Sequence, residues 1–413
     1  MTHTKHQGRR SGEAPTRNRL SNQSPKAHCQ LAKRLAAALA FALAFTPLRA
    51  AHAASPLPLR VVTWNVWGLP AVSTNLEQRM AALPDAIAKL EPDVILLQEL
   101  WAERDGVTVR RGLERHGYRY TSHLAHTKPG MTGLFTASKL PLKNVGFLPF
   151  ASGQVGHSFW HLEWLAAKGV GSFALETPLG EIEIQNTHLQ AQYDTDDYAA
   201  ERLSQASQIL LMDQNRAQSL VLGGDFNTGA EELPRQAFFD LCALRDTTPS
   251  PLPDTIFVRS GGNIQIRVVG THQALTDAVR LPNGVTTELS DHAAVVVDLE
   301  LSACEVCPPA AAGNLKTRET AHTALLTAAA ITPWRVSLAL SAAASLLVLA
   351  VVFFQRTRAL RERRWHARIF RRTGLVLLAT GIFWTAYLGI LYYPTRAKAL
   401  RLVAQELETS SLR

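Results

Sequence analysis

From Leu59 onward, apolar residues come in short runs that stop abruptly on polar ones. Such stops fall at the ends of Arg60–Asn65, Asp93–Glu99, Ile182–His188 and Ser219–Thr228, and at Leu289–His292 ahead of Ala293–Leu299. Short runs rich in Val, Ile and Leu read as buried strands. Apolar residues at helical spacing predict helices over Leu76–Leu90, Ala102–His116, Asp196–Gln214 and Glu231–Cys242. The first follows the turn Ser73–Asn75, and Pro84 should kink or restart it. Gly133–Ser138, Val145–Phe150, Thr255–Val258 and Ile264–Val269 add strands, and a hairpin joins Val170–Leu175 to Glu181–Gln185 around Pro178–Gly180. Strands outnumber helices and come partly as hairpins, so the expected fold class is α/β: two sheets packed face to face with helices outside.

The two ends read differently. Residues 1–28 are polar and basic, the composition of a disordered segment. Lys33 and Arg34 precede the apolar run Leu35–Phe45, and Ala51-His-Ala53 fits a small-x-small cleavage site. Residues 1–54 thus take the form of a signal peptide with a long basic n-region, a length that an initiator methionine placed too far upstream would explain; the alternative is an uncleaved anchor, for which the run is short. Residues 303–334 read as a Pro/Ala/Thr-rich linker. Two uncharged apolar runs, Val336–Phe354 and Gly374–Tyr393, are each long enough to span a bilayer, and Trp334, Trp384, Tyr387, Tyr392 and Tyr393 flank or cap them. Residues 335–394 are therefore expected to form a transmembrane hairpin, with 395–413 as a tail. The loop between the runs holds eight arginines against Glu362 alone, so the positive-inside rule puts it in the cytoplasm. The domain 55–302 would then be extracytoplasmic, and periplasmic in a Gram-negative host.

The overall charge of +9 hides a split. Residues 1–54 carry nine Lys/Arg against one acid, residues 55–302 nineteen against twenty-eight, and residues 303–413 fifteen against five. The domain that carries the polar strand ends is acidic and lacks the basic footprint of a general nucleic-acid binder, so no nucleic-acid partner is expected. The cysteines, Cys29, Cys242, Cys304 and Cys307, make no zinc site. Cys304 and Cys307 follow the last strand, either as a disulfide in an oxidising compartment or as two free thiols.

A strand that stops on Asp225-Phe-Asn227 sets a carboxylate and an amide on one edge. That pair suits a phosphate oxygen and an attacking water, or one hard cation, and it also suits an ordinary turn. The other strand ends narrow the choice. Trp64-Asn65, Gln98-Glu99, Thr187-His188-Leu189, Gly224-Asp225-Phe226-Asn227 and Ser290-Asp291-His292, in this order, resemble the endonuclease/exonuclease/phosphatase superfamily. Within it, Asn65–Pro70, Gln98–Trp101, Ala167–Val170 and Asn186–Ala191 resemble the neutral sphingomyelinases, and the likeness covers roughly residues 59–301.

The resemblance implies a two-sheet α/β sandwich of the deoxyribonuclease/sphingomyelinase type, here followed by two transmembrane helices. Glu99 is the expected ligand of a hard divalent cation, Mg²⁺, with Asn65 supporting the metal or the phosphate. His292 is the expected general base, beside Asp291, and Asp254 matches the family's position for the carboxylate that orients it. Asp225 would position the water or the leaving group, Asn227 a phosphoryl oxygen, and His188 would stabilise charge on the phosphate. Lys168 matches a lysine that reaches the site, preceded five residues earlier by Glu163 where the family more often has Asp. The expected activity is Mg²⁺-dependent hydrolysis of a membrane-lipid phosphodiester, in the phospholipase C sense. An exported nuclease or other phosphodiesterase of the same superfamily, and an inactive membrane scaffold, stay open as alternatives.

Overall fold

The computed structural model describes residues 55–70, 72–125, 131–152, 166–193, 198–212, 218–242, 244–248, 253–305, 307, 314–358 and 365–410. The signal-peptide reading of residues 1–54 and the pairing of Glu163 lie outside the described residues. In chain order the first elements are β1 (Leu57–Asn65), α1 (Leu76–Ala88), β2 (Val94–Gln98), α2 (Glu103–Arg115), β3 (Tyr120–Ala125), β4 (Met131–Ser138), β5 (Leu142–Pro149), β6 (Gly169–Thr177) and β7 (Gly180–His188). Then come α3 (Ala199–Met212), β8 (Leu220–Asp225), α4 (Leu233–Cys242), β9 (Arg245–Asp246), β10 (Asp254–Arg259), β11 (Ile264–Ala274), β12 (Val279–Arg280), β13 (Thr286–Thr287) and β14 (Ala294–Ala303). Four helices close the chain: α5 (Leu315–Ala330), α6 (Thr332–Arg358), α7 (Trp365–Tyr387) and α8 (Tyr393–Ser410).

Two six-stranded sheets result, ordered β11-β14-β1-β2-β4-β3 and β5-β6-β7-β8-β10-β9. The period-2 alternation of the strands explains the layers. Val61, Leu96, Ile184, Val221, Ile256 and Val297 share the core between the sheets. Val62, Trp64, Ile95 and Leu97, one residue out of step, instead meet Met80 and Leu83 of α1 and Val109 and Leu113 of α2. Leu220, Leu222 and Phe257 of the second sheet share a core with Leu203 and Ile209 of α3 and Phe238 of α4. The expected two-sheet sandwich is the observed fold.

Two expectations are corrected. Helix α1 is continuous through Pro84, so of the kink or restart expected there the restart does not occur. The ring fits the space that Gly112 leaves on α2, where an added Cβ would lie 2.3 Å from Pro84 Cγ. Residues 315–330, read as linker from their Ala/Thr content, form α5. Its Ala321, Leu325 and Ala329 enter the same core as Leu400, Val403 and Leu407 of α8, on the outside of the second sheet. An alanine-rich stripe is a good helix former but a weak hydrophobic signal, so its period is hard to see in sequence.

Helix α6 carries the first apolar run and α7 with the turn after it the second, in helical segments long and apolar enough to cross a membrane. Gly374 of α7 packs against Phe353 of α6, and Gly389, just past the end of α7, packs against Leu340 of α6, while Leu347, Val348, Leu349 and Phe383 stay exposed. A π-helical turn, Leu388–Tyr392, joins α7 to α8. Cys304 and Cys307 form a disulfide just beyond β14.

Candidate active site

Each sheet has one parallel pair, and parallel neighbours bring their carboxyl ends to the same edge. In the first sheet, β1 and β2 run in parallel with Asn65 opposite Gln98. In the second, β7 and β8 run in parallel with His188 opposite Asp225. Strand β10 runs antiparallel to β8 and sets Asp254 opposite Asp225 as well. Strand β14 runs antiparallel to β1, with Val295 opposite Thr63, so the residues just before it reach the same edge. The polar strand ends seen in the sequence therefore converge.

Asp225 is the centre of this edge. Its Oδ2 accepts from Asn65 Nδ2 at 3.0 Å and lies 3.6 Å from His188 Nε2, while its Oδ1 accepts from the Asn227 amide at 3.0 Å. The same Asn65 Nδ2 reaches Glu99 Oε1 at 3.2 Å, and Asn65 Oδ1 accepts from the Trp67 amide at 3.0 Å. One amide group thus stands between the carboxylates of Glu99 and Asp225.

His292 faces this group from the first sheet. Its Nδ1 is 2.5 Å from Asp254 Oδ2. Trp64 Nε1 donates to its carbonyl at 2.8 Å, and its own amide donates to Ser290 Oγ at 3.2 Å. Ser290 Oγ in turn donates to the Asn65 carbonyl at 2.6 Å. Asp291 is exposed and touches Ser290 rather than the imidazole, so it acts on His292 only through its charge. Lys168 is buried, and its Nζ donates to the Leu189 carbonyl at 3.0 Å, the same oxygen that Asn227 Nδ2 reaches at 3.1 Å.

Burial and crowding of charge set the protonation states. Asp254 is pushed up to about 7, first by burial and then by the Asp225 carboxylate. Burial opposes the charge on His292, but the Asp254 hydrogen bond and the carboxylates of Asp254, Asp225 and Asp291 outweigh it and raise the imidazole to about 10. His188 falls well below the usual imidazole range, through burial and then the charges of Lys168 and His292. It is a neutral ring at physiological pH.

The backbone at this edge is unusual. Trp67, Glu99 and Asn227 have φ of 46°, 60° and 49°, left-handed values that cost a non-glycine residue about 1–2 kcal/mol each. Gly68 is required beside them, because an added Cβ would lie 2.1 Å from the Glu99 carbonyl oxygen.

Two supporting residues escaped the sequence reading. Arg79 is fully buried in α1 and donates to the carbonyls of Thr74, Val66, Leu289 and Trp67, tying the loop after β1 to the one before His292. Asn186 takes Gln98 Nε2 at 2.8 Å on its oxygen and donates to the carbonyls of Leu97 and Phe135, which locks the two sheets together behind the site. Its place in the motif Asn186–Ala191 is its signal in the sequence. Arg79 gave none, since an arginine inside a helix reads as surface.

The donor set fits a hard divalent cation. Atoms of Asp225, Asp254 and His292 lie within 4.8 Å of one another, and Asn65 links Glu99 to the same group. The donors are mostly carboxylate oxygens, the choice of a hard cation, and Asp225 and Asp254 bring two buried carboxylates together, negative charge that a cation would offset. From sequence alone the metal falls to Glu99 and Asn65. The structure brings Asp225 to that pair, with Asp254 engaged by His292.

Residues 62–292, from the start of the first motif to the last, match the model of the Endonuclease/Exonuclease/phosphatase family. The chain belongs to this family. Among its curated relatives, the "Putative neutral sphingomyelinase" of Drosophila melanogaster is 27% identical over 59% of this chain and 61% of that protein. The "Inositol phosphosphingolipids phospholipase C" of Schizosaccharomyces pombe is 32% identical over 48% of each. The chain thus spans about half to three fifths of the length of these relatives. Sphingomyelinase C from Streptomyces griseocarneus aligns with 60% of this chain and 100% of its own, at 17% identity and a TM-score of 0.46.

Proposed function

We propose that this family member is a membrane-anchored, Mg²⁺-dependent phosphodiesterase that cleaves a sphingolipid in the phospholipase C sense, releasing a phosphorylated headgroup. The observation that carries the reading is the His292–Asp254 pair facing Asp225 at the shared strand edge. Asp254 holds Nδ1, which leaves Nε2 of His292 to take the proton of an attacking water. Asp225 orients that water, and the P–O bond to the lipid alcohol breaks as the new P–O bond forms. The proton taken up leaves with the alcohol or returns to solvent. The neutral His188 ring and the Asn227 amide donate to phosphoryl oxygens, and Lys168 supplies positive charge behind them. Glu99 and Asp225, with Asn65 between them, would hold the cation, whose chemistry is to offset charge developing on the phosphate. The Drosophila melanogaster and Schizosaccharomyces pombe relatives are named for sphingolipid substrates, which supports this substrate class. The exposed apolar helices α6 and α7 support membrane anchoring.

The test is headgroup release by the full chain from vesicles of sphingomyelin and of inositol phosphosphingolipid, beside plasmid DNA at low salt. Release from one or both lipids and little nicking is expected, because an acidic domain repels a polyanion. Efficient nicking without lipid hydrolysis would put the nuclease reading in its place.

A further inference from the structure

The last helix of the chain reaches back to the helix that opens beside the active site. Arg396, in the first turn of α8, forms an ion pair with Glu201 in the first turn of α3. The pair is almost wholly buried, with side chains 9% and 1% exposed. Arg396 Nη2 donates to Glu201 Oε2 at 3.2 Å, and Nη1 donates to the Ala328 carbonyl of α5 at 3.2 Å. One guanidinium therefore joins both helices of the C-terminal brace to the catalytic domain.

The position of this pair fixes a direction. Helix α3 follows β7 after the site residue His188, so its N-terminal end lies at the active-site edge. Gln205, one turn beyond Glu201, confirms it, because its Oε1 accepts from the Gln190 amide at 2.8 Å, and Gln190 follows Leu189, the shared acceptor of Lys168 and Asn227. At the opposite end of the brace, Asn314 and Thr317 bond Asp240 near the C-terminus of α4, which runs away from the site edge after β8. Arg318 meets Ser410 there as well. Helix α5 thus begins far from the site, is about 24 Å long, and ends at the site edge. There it passes into α6 through Ile331, whose backbone is still helical. Helix α7 passes into α8 at the same level through the π turn.

We propose that the Arg396–Glu201 pair is a positioning clamp that holds the catalytic domain on its apolar hairpin with the active-site edge turned toward the bilayer. The proposal rests on the membrane-phosphodiesterase reading above. A surface follows from it. The loop leaving β1 at that edge carries Val72, 54% exposed, and this loop would meet the lipid. Arg396 and Glu201 touch neither substrate nor metal; their role is to orient.

The experiment uses the full chain in sphingomyelin-containing vesicles, with Cys29 and Cys242 changed to Ser and an environment-sensitive fluorophore on Val72→Cys. Quenching by lipids brominated in the upper acyl chain reads orientation, headgroup release reads turnover, and the thermal transition of the domain reads folding. In the parent chain the probe should be quenched. Arg396→Glu, which sets two carboxylates against each other, should lower the quenching and cut vesicle turnover about tenfold or more while the thermal transition persists. The exchanged pair Glu201→Arg with Arg396→Glu should restore both. Unquenched parent protein overturns the clamp whatever the substrate, as does Arg396→Glu with unchanged quenching. If Arg396→Glu fails to fold and the exchanged pair folds without regaining quenching and turnover, the pair is merely structural and the clamp falls. Parent protein that is quenched but releases no headgroup leaves the orientation standing and sinks the substrate reading alone.

Discussion

Asp254 opens β10 of the second sheet, His292 lies two residues ahead of β14 of the first, and the 2.5 Å contact between them spans the sandwich. The carboxylate holds the imidazole proton on Nδ1 and raises the pKa of the ring. A base must be neutral to act, so kcat/KM should rise with pH along a limb set by His292. Asp254→Asn removes the charge that raises this pKa, so the limb should move to lower pH while the plateau falls at least ~10²-fold. His292→Ala should lose the limb and a similar factor. A pH–rate profile of each variant checks this, and an unmoved limb in Asp254→Asn would refute the pairing as a catalytic one.

Metal removal gives a second test. Glu99 and Asp225 flank one amide and offer few protein ligands, so the cation should exchange readily. EDTA should abolish headgroup release, and added Mg²⁺ should restore it. Release that survives exhaustive chelation would remove the cation from the mechanism.

The close approach at Gly68 predicts a third. In Gly68→Ala the new Cβ would collide with the Glu99 carbonyl and push Glu99 out of its left-handed position. Turnover should fall about 10²-fold, the scale of a 1 Å misplacement, with a small change in melting temperature. Turnover and calorimetry measured together separate loss of the site from loss of the fold.

Topology is the fourth. The arginine-dense loop resists translocation, each charge costing several kcal/mol to carry through hydrocarbon. The structure adds that α5 and α8 pack on one catalytic domain, so both outer ends of the hairpin belong on its side. The Cys304–Cys307 disulfide supports an oxidising compartment for that side. Alkaline phosphatase fused after Ala330 should be active and fused after Arg363 inactive. The reverse pattern would place the domain in the cytoplasm.

Much of the site was legible because it lies where apolar runs stop. Asn65, Glu99, His188 and Asp225 each end such a run, and β pairing alone carries them to one edge. Asp254 could be placed only through the family resemblance, since nothing in its local pattern sets it opposite Asp225. What stayed hidden depends on partners far along the chain. The burial of Arg79 is decided by four carbonyls, one of them Leu289, and that of Glu201 by Arg396. Strand β3 lies at a sheet edge with a mixed pattern, and β9, β12 and β13 have two residues each, too short for any period to show.

The π turn at Leu388–Tyr392 makes the second apolar helix and the domain-bound helix one continuous rod. A flexible tether would let the enzyme sample any surface within reach. If the apolar helices anchor the chain as proposed, this continuous helix would keep the domain over the leaflet that carries the anchor. It would then graze that leaflet as it diffuses laterally and leave neighbouring vesicles untouched, which makes local lipid composition, rather than total lipid, the quantity that sets its rate.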